Sequence, residues 1–215
     1  MSSTAHLPFM TGFEYEGRWI YGLRRSPTED DVPEWDGAPY DSDWHRGAAQ
    51  TLAASVRYFA RDRDDWWCAA ETMFYFNLNM IRLKDFRAPD VMFVKGVPNR
   101  PRKSYILWNE NAHAPNAIVE VTSDATRVDD FGDRKEIFQK VLRTPEYFVV
   151  DPATREIFGW RLIDKLYVPI APSGGRLPSE QLGLALGYSA EQNLPRFYDD
   201  SGHIVPTPDE AAATG

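Results

Sequence analysis

Residues 116–151 read NAIVEVTSDATRVDDFGDRKEIFQKVLRTPEYFVVD, two apolar runs separated by one amphipathic segment. AIVEV and EYFVVD have the Val, Ile, Phe and Tyr content of sheet strands and are bounded by Asp, Thr and Pro. Between them Ile137, Phe138, Val141 and Leu142 form an apolar stripe at helical spacing, after a turn that begins at Asp130 or Gly132. Strand, helix and strand within this length make a crossover unit, so the two strands are expected to be parallel or near neighbours with a right-handed connection. The first strand carries Glu120 in the middle of its apolar run. A buried, ionised carboxylate is costly unless a cation or a metal stands beside it, so a partner has to come from elsewhere in the chain.

The same punctuation extends outward. ETMFYFNLNMI, DVMFV, EIFGWRL and KLYVPI are further short strand-like runs, and Ala48, Leu52, Val56 and Phe59 recur at helical spacing over residues 44–60, with Ser42 or Asp43 placed to cap the first turn. Residues 1–40 are expected to form an irregular arm with one short strand at RWIYGL, residues 41–205 a single domain, and residues 206–215 a flexible tail. RFYDDSGHIVPT resembles a hairpin around Asp200-Ser201-Gly202.

With 43% hydrophobic residues and seven tryptophans, the 215-residue chain can build a sizeable core. Cys68 is its only cysteine, which excludes an intramolecular disulfide and a thiolate zinc cluster and suits a small buried hydrophobe. No leader-like apolar segment opens the sequence and no run reaches the about 18 apolar residues of a membrane span, so a cytoplasmic protein without a membrane partner is expected. Twenty-four basic against thirty-two acidic residues give a net charge of −8, which argues against strong nonspecific binding of polyanions. KGVPNRPRK, residues 95–103, is the local exception; its Arg100, Arg102 and Lys103 are either a solvated charge run or a contact to a phosphate backbone.

In an extended strand Glu120 shares a face with Ile118 and Thr122, while Val119 and Val121 point the other way. RAPDVMFV places Asp90 just before another strand, so the two carboxylates can meet at a common sheet end. Two adjacent acids stay ionised at neutral pH only with a divalent cation or a basic residue between them, and hard oxygen ligands suit Mg²⁺ or Mn²⁺. Lys135, Phe138 and Leu142 stand at i, i+3 and i+7, which puts Lys135 on the sheet-facing side of its helix; Lys140 falls with Glu136 and Thr144 on the outer side.

APDVMFV, NAIVEVTSDATRVDDFGDRKEIF and PEYFVVDP together resemble the Uma-type restriction endonuclease family, within the PD-(D/E)xK nuclease superfamily. The resemblance extends back to DSDWHR and forward to RLPSEQLGLALG and RFYDDSGHIVPTPDE. It implies an α/β (α+β) restriction-endonuclease-like fold, a mixed central sheet flanked by helices, and a Mg²⁺- or Mn²⁺-dependent endonuclease that hydrolyses the phosphodiesters of DNA. By motif match, Asp90, Glu120 and the backbone carbonyl of Val121 would hold the metal, and a lysine would polarise the attacking water. The superfamily places that lysine two positions after the second acid, where this chain has Thr122; the Uma-type family departs in the same way, and its helical lysine is matched by Lys135.

The extra acid that many relatives carry on an N-terminal helix would correspond to Asp41. His45 is a substrate contact or a hydrogen-bonded histidine of the first helical turn. Asp43 and Asp130 are expected as helix caps and Asp151 as a turn residue. A homodimer is expected, because nucleases of this superfamily often need two sites to cut both strands. Two other functions are compatible with the sequence, a noncatalytic assembly protein that keeps the nuclease fold and a hydrolase of a smaller phosphoester; the presence of Asp90, Glu120 and Lys135 together favours the endonuclease.

Overall fold

In the computed structural model, which describes residues 10–15, 18–23, 25–32, 34, 42–77 and 88–214, the two strands of the opening segment lie side by side at the centre of a six-stranded sheet. They are β7 (Ala117–Val121) and β8 (Glu146–Asp151), paired in parallel with Glu120 opposite Val149. β5 (Val91–Lys95) runs antiparallel to β7, and β3 (Trp66–Ala70) antiparallel to β5. On the other side β9 (Glu156–Ile163) and β10 (Leu166–Pro169) follow β8 as antiparallel neighbours, which makes the sheet mixed, as expected.

Strands this apolar are covered on both faces, and the alternation of side chains assigns each face its cover. Val91, Phe93, Val119, Val121, Phe148 and Val150 face α1 (Asp43–Phe59), whose Ala48, Ala49 and Ala53 keep its apolar stripe small. The same cluster takes in β11 (Leu177–Ser179), β12 (Leu184–Ser189) and β13 (Leu194–Tyr198), a separate antiparallel three-stranded sheet. Met92, Val94, Ile118, Tyr147 and Val149 face the opposite way, onto Phe138 and Leu142 of the crossover. Glu120 belongs to this second face. Ser42 caps α1, its hydroxyl accepting the His45 N–H at 3.1 Å. Cys68 is buried, and burial pushes its thiol up to about 12, as suits a packing residue.

The crossover is not one helix. It consists of α2 (Arg127–Phe131), a break at Gly132, α3 (Asp133–Glu136) and a π-helical turn over Ile137–Val141. At Gly132 a Cβ would lie 2.7 Å from the Val128 carbonyl oxygen, so the close passage of the chain admits only glycine. The π turn is closed by Leu142 N–H donating to the Ile137 carbonyl at 3.1 Å, five residues back, which widens the turn and shifts the phase of everything beyond it.

Near the N-terminus, β1 (Met10–Tyr15) pairs antiparallel with β2 (Arg18–Leu23), so the strand expected at RWIYGL has a partner. β4 (Phe74–Tyr75) and β6 (Tyr105–Ile106) form a small parallel pair. The turn at Asp200-Ser201-Gly202 is present, with Gly202 at φ 81° and its N–H donating to the Asp199 carbonyl. The C-terminal residues, expected to be flexible, form α4 (Pro208–Thr214). Arg196, only 1% exposed, pairs with Glu210 at 2.7 Å, and this bond lowers the Glu210 carboxyl to about 2. Among the described residues no helix is long and apolar enough to cross a membrane.

Candidate active site

The antiparallel register of β5 and β7 sets Val91 opposite Val119, so Asp90, just ahead of β5, meets the end of β7. Two hydrogen bonds tie the acids to the facing strand ends, Glu120 to the backbone of Asp90 and Asp90 to the backbone of Val121. Asp90 N–H donates to Glu120 Oε2 at 3.1 Å, and Val121 N–H donates to Asp90 Oδ2 at 2.7 Å. His45, in the first turn of α1, brings Nε2 to 3.2 Å from Asp90 Oδ2. Three elements therefore converge on one carboxylate pair.

The cation at this pair is Arg134, one position before the lysine the periodicity selects. Arg134 Nη1 lies 3.2 Å from Glu120 Oε2 and 3.4 Å from Asp130 Oδ1. Lys135 instead places Nζ 4.1 Å from the centroid of the Trp160 ring on β9. Trp160 is paired with Tyr147, whereas Glu120 is paired with Val149 and Val149 with Phe158, so the Lys135 ammonium stands two strands across and one pleat along from Glu120. Lys135 does face the sheet, as its spacing from Phe138 and Leu142 requires, but over the wrong strand. Periodicity fixes the side of a helix and not the strand beneath it, and the crossover, entered after the break at Gly132 and left through the π turn, sets Lys135 over β9.

Asp130, expected as a cap, is a buried member of this group. Its carbonyl accepts the Tyr147 hydroxyl at 2.8 Å while its carboxylate flanks Arg134. Arg134 and Asp130 are an i, i+4 pair, and that spacing is the sequence signal that could have found both. Glu71, at the end of β3, is a further acid that sequence reasoning missed; its N–H donates to the Asp90 carbonyl at 3.0 Å.

Burial dominates the electrostatics. Glu120 is 0% exposed, and desolvation raises its carboxyl well above the ordinary range; Arg134 counteracts this, while Asp90 and Asp130 reinforce it. Desolvation also raises Asp130, and that of Glu71, and the carboxylates, Glu120 first, hold the Arg134 guanidinium above even its ordinary high value. Lys135 shifts the other way, lowered by burial.

Arg134 thus contacts Glu120 and Asp130 and feels the charge of Asp90, and among the described residues the buried Glu120 Oε1 has no hydrogen-bond partner. The buried Glu120 oxygen beside Asp90 is a hard donor of the kind that Mg²⁺ or Mn²⁺ takes, although among the described residues no three His, Cys, Asp or Glu side chains are grouped to hold a metal ion. Asp90, Glu120 and the Val121 carbonyl are the groups that would hold it. Asp41 lies outside the described residues.

The basic loop is committed elsewhere. Arg100 pairs with Glu29 at 3.0 Å and Glu110 at 2.9 Å, Arg102 with Glu110 at 2.7 Å, and Lys103 with Asp30 at 3.2 Å. Arg102 is also fully buried, its guanidinium 5.0 Å from the Trp67 ring centroid. The loop read as either a solvated charge run or a phosphate contact thus has its charges paired with acids of residues 29–34 and Glu110. Asp151 holds the turn it was expected to hold, accepting the Ala153 N–H at 3.0 Å, and also pairs with Arg127.

The Uma2 family, described as "Putative restriction endonuclease", matches residues 29–194 of this chain. Among solved structures, one match is the crystal structure of a "putative nuclease belonging to DUF820" from Anabaena variabilis, at 12% identity, a TM-score of 0.46, and coverage of 78% of this chain and 80% of that one. A search of curated proteins finds no match.

Proposed function

We propose that this chain, which belongs to the Uma2 family, is a metal-dependent endonuclease-like hydrolase of DNA phosphodiesters that works at the Asp90, Glu120 and Arg134 cluster. The observation that carries this reading is the pair of hydrogen bonds that hold Glu120 on the Asp90 N–H at 3.1 Å and Asp90 on the Val121 N–H at 2.7 Å, beside a half-buried guanidinium and a buried Glu120 oxygen without a hydrogen-bond partner among the described residues. When bound, Mg²⁺ or Mn²⁺ supplies Lewis-acid charge to the phosphate and an acidified water at neutral pH.

Asp90 and Glu120 bind and orient. Hydrogen bonds from the Asp90 and Val121 N–H groups fix the two carboxylates without needing flexible side chains to be ordered at each turnover. Arg134 takes the part expected of Lys135 in holding negative charge on the phosphate. A guanidinium keeps its proton throughout, so it stabilises charge and orients but does not abstract a proton from water. Its present bond to Glu120 favours the ionised form of that carboxylate against the desolvation that raises it. His45, against Asp90, is placed to touch a substrate phosphate or its water.

The alternative, a noncatalytic assembly protein, draws support from the same ion pair, since Arg134 already compensates Glu120 internally. The two are separated by incubating plasmid and single-stranded DNA with Mg²⁺ or Mn²⁺ and the wild-type or Asp90→Ala protein. Cleavage lost on Asp90→Ala supports the hydrolase; cleavage equal in both proteins sinks it, and no cleavage with no divalent binding by calorimetry favours assembly.

A further inference from the structure

Beside the carboxylate cluster, and sharing His45 with it, lies a cleft that the hydrolytic reading does not use. A cavity of about 290 Å³ is lined by Trp44 and His45 of α1, Thr122 and Ser123 after β7, Arg155 of the β8–β9 turn and Tyr188 of β12. His45 is the same residue that touches Asp90, and Thr122 follows the Val121 whose N–H fixes Asp90, so the cavity and the acids share a wall. Thr122, Ser123 and Pro152 also line a second cavity of about 530 Å³, while Arg155 and Tyr188 also line a third of about 440 Å³. The three join into one trough across the ends of β7 and β8.

Its two rings are fixed in place by one residue. Trp44 Nε1–H donates to the Asn193 carbonyl at 2.9 Å, and the Tyr188 hydroxyl donates to Asn193 Oδ1 at 2.8 Å. Arg155, exposed, stands 5.9 Å from the Tyr188 ring centroid. Rigid aromatic faces with a nearby guanidinium are the chemistry that takes an unpaired base and its phosphate. Two further facts argue against a continuous duplex. The middle cavity is at the small end of the about 300–1,000 Å³ typical of ligand pockets, which suits one nucleotide. Binding along a duplex also relies on several lysines and arginines at phosphates, and the trough offers Arg155 and Arg127, the latter already paired with Asp151.

We propose that this cleft seats an unpaired nucleotide, its base against Trp44 and Tyr188 and its phosphate at Arg155, so that the strand entering the Asp90–Glu120 site is single-stranded or locally unpaired DNA. The inference rests on the hydrolase reading for its substrate class but concerns binding, so it is tested without hydrolysis. A fluorescein-labelled strand of about 16 nucleotides, the upper site size of single-strand-binding folds, is titrated in EDTA at low salt, alone and annealed to its complement. Fluorescence anisotropy is expected to show the single strand bound at least about tenfold more tightly than the duplex. One stacked base contributes about 1–3 kcal/mol, so Tyr188→Ala is expected to weaken single-strand binding at least about fivefold, while Tyr188→Phe, which keeps the ring, stays within about twofold of wild type. Arg155→Ala is expected to weaken it as well, with less dependence on salt.

Duplex binding equal to or tighter than single-strand binding overturns the proposal. So does unchanged binding by Tyr188→Ala with an unchanged unfolding midpoint, or failure of either DNA to bind. Retained single-strand preference in a protein that cleaves nothing would support the cleft while removing the hydrolase. Cleavage of duplex DNA indifferent to Tyr188→Ala and Arg155→Ala would do the reverse.

Discussion

Replacing Arg134 by methionine removes the charge facing two buried carboxylates while keeping most of the side-chain volume. Glu120 and Asp130 are 0% and 1% exposed, and Arg134 is 3.2 and 3.4 Å from them. Removing one partner of a buried ion pair costs about 3–5 kcal/mol, because the remaining charge is uncompensated. That cost depends on pH. The folded state already raises the Glu120 and Asp130 carboxyls, so their ionised forms weigh against folding once the pH exceeds the ordinary carboxylate range. Loss of Arg134 raises both further and widens the window in which stability falls with rising pH. Toward lower pH, protonation of the raised carboxyls lessens the need for a counter-charge, so the loss shrinks toward the packing change alone, about 1 kcal/mol. At pH 8 the full cost applies, and at about 2–4 °C per kcal/mol for a chain of this size the midpoint drops by roughly 6–20 °C. Thermal unfolding followed by circular dichroism at pH 5, 6.5 and 8 measures it, with Lys135→Met as the comparison. The Lys135 ammonium makes a ring contact at a partly exposed site, so its loss is expected to cost about 0.5–1 kcal/mol at every pH. A loss for Arg134→Met that is the same at pH 5 and pH 8, or no larger than that for Lys135→Met, would refute the assignment of Arg134 as the counter-charge of the buried acids.

A divalent ion that binds only the folded protein stabilises it by about 2.7 kcal/mol at one hundred times its dissociation constant, so Mn²⁺ is expected to raise the midpoint by about 5–11 °C. The rise should be larger at pH 8 than at pH 5, because the ion competes with protons for Glu120, and absent from Asp90→Ala. Phe138 is 2% exposed between Tyr147 and the crossover, and Phe138→Ala is expected to cost about 3–5 kcal/mol by urea unfolding. The double substitution Arg100→Ala and Lys103→Ala should leave oligonucleotide affinity within about twofold by anisotropy, because both cations are paired with Glu29, Glu110 and Asp30; a larger loss would return the loop to the substrate path.

The sheet was legible in residues 116–151 because strand chemistry is local. AIVEV and EYFVVD declare themselves by β-branched and aromatic content, and the intervening length leaves a parallel crossover as the simplest connection. Asp90 and Glu120 were legible for the same reason, each lying at a strand end whose neighbour could be inferred. The cap of α1 was legible as Ser42 or Asp43, and the Ser42 hydroxyl takes it while Asp43, also expected as a cap, is the first helical residue. What failed was non-local or depended on phase. Periodicity turns Lys135 toward the sheet but does not say over which strand, so it does not reveal that Arg134, one residue earlier, is the cation beside Glu120. Pairing of Arg100 with Glu29 spans 71 residues between segments without pattern, and nothing in NRPRK shows that its charges are already matched. The C-terminal helix depends on burial of Arg196, which no composition rule anticipates.

The most direct test of the site is single-turnover cleavage of DNA in Mn²⁺ by wild type, Arg134→Gln and Lys135→Gln, with folding verified for each. Removal of a group that stabilises transition-state charge costs about 10²–10³ in rate, so Arg134→Gln is expected to lose at least about one hundredfold while Lys135→Gln stays within about threefold of wild type. Loss of activity on Lys135→Gln with Arg134→Gln still active would contradict the assignment of the cation, and full activity in both would remove the crossover from the chemistry.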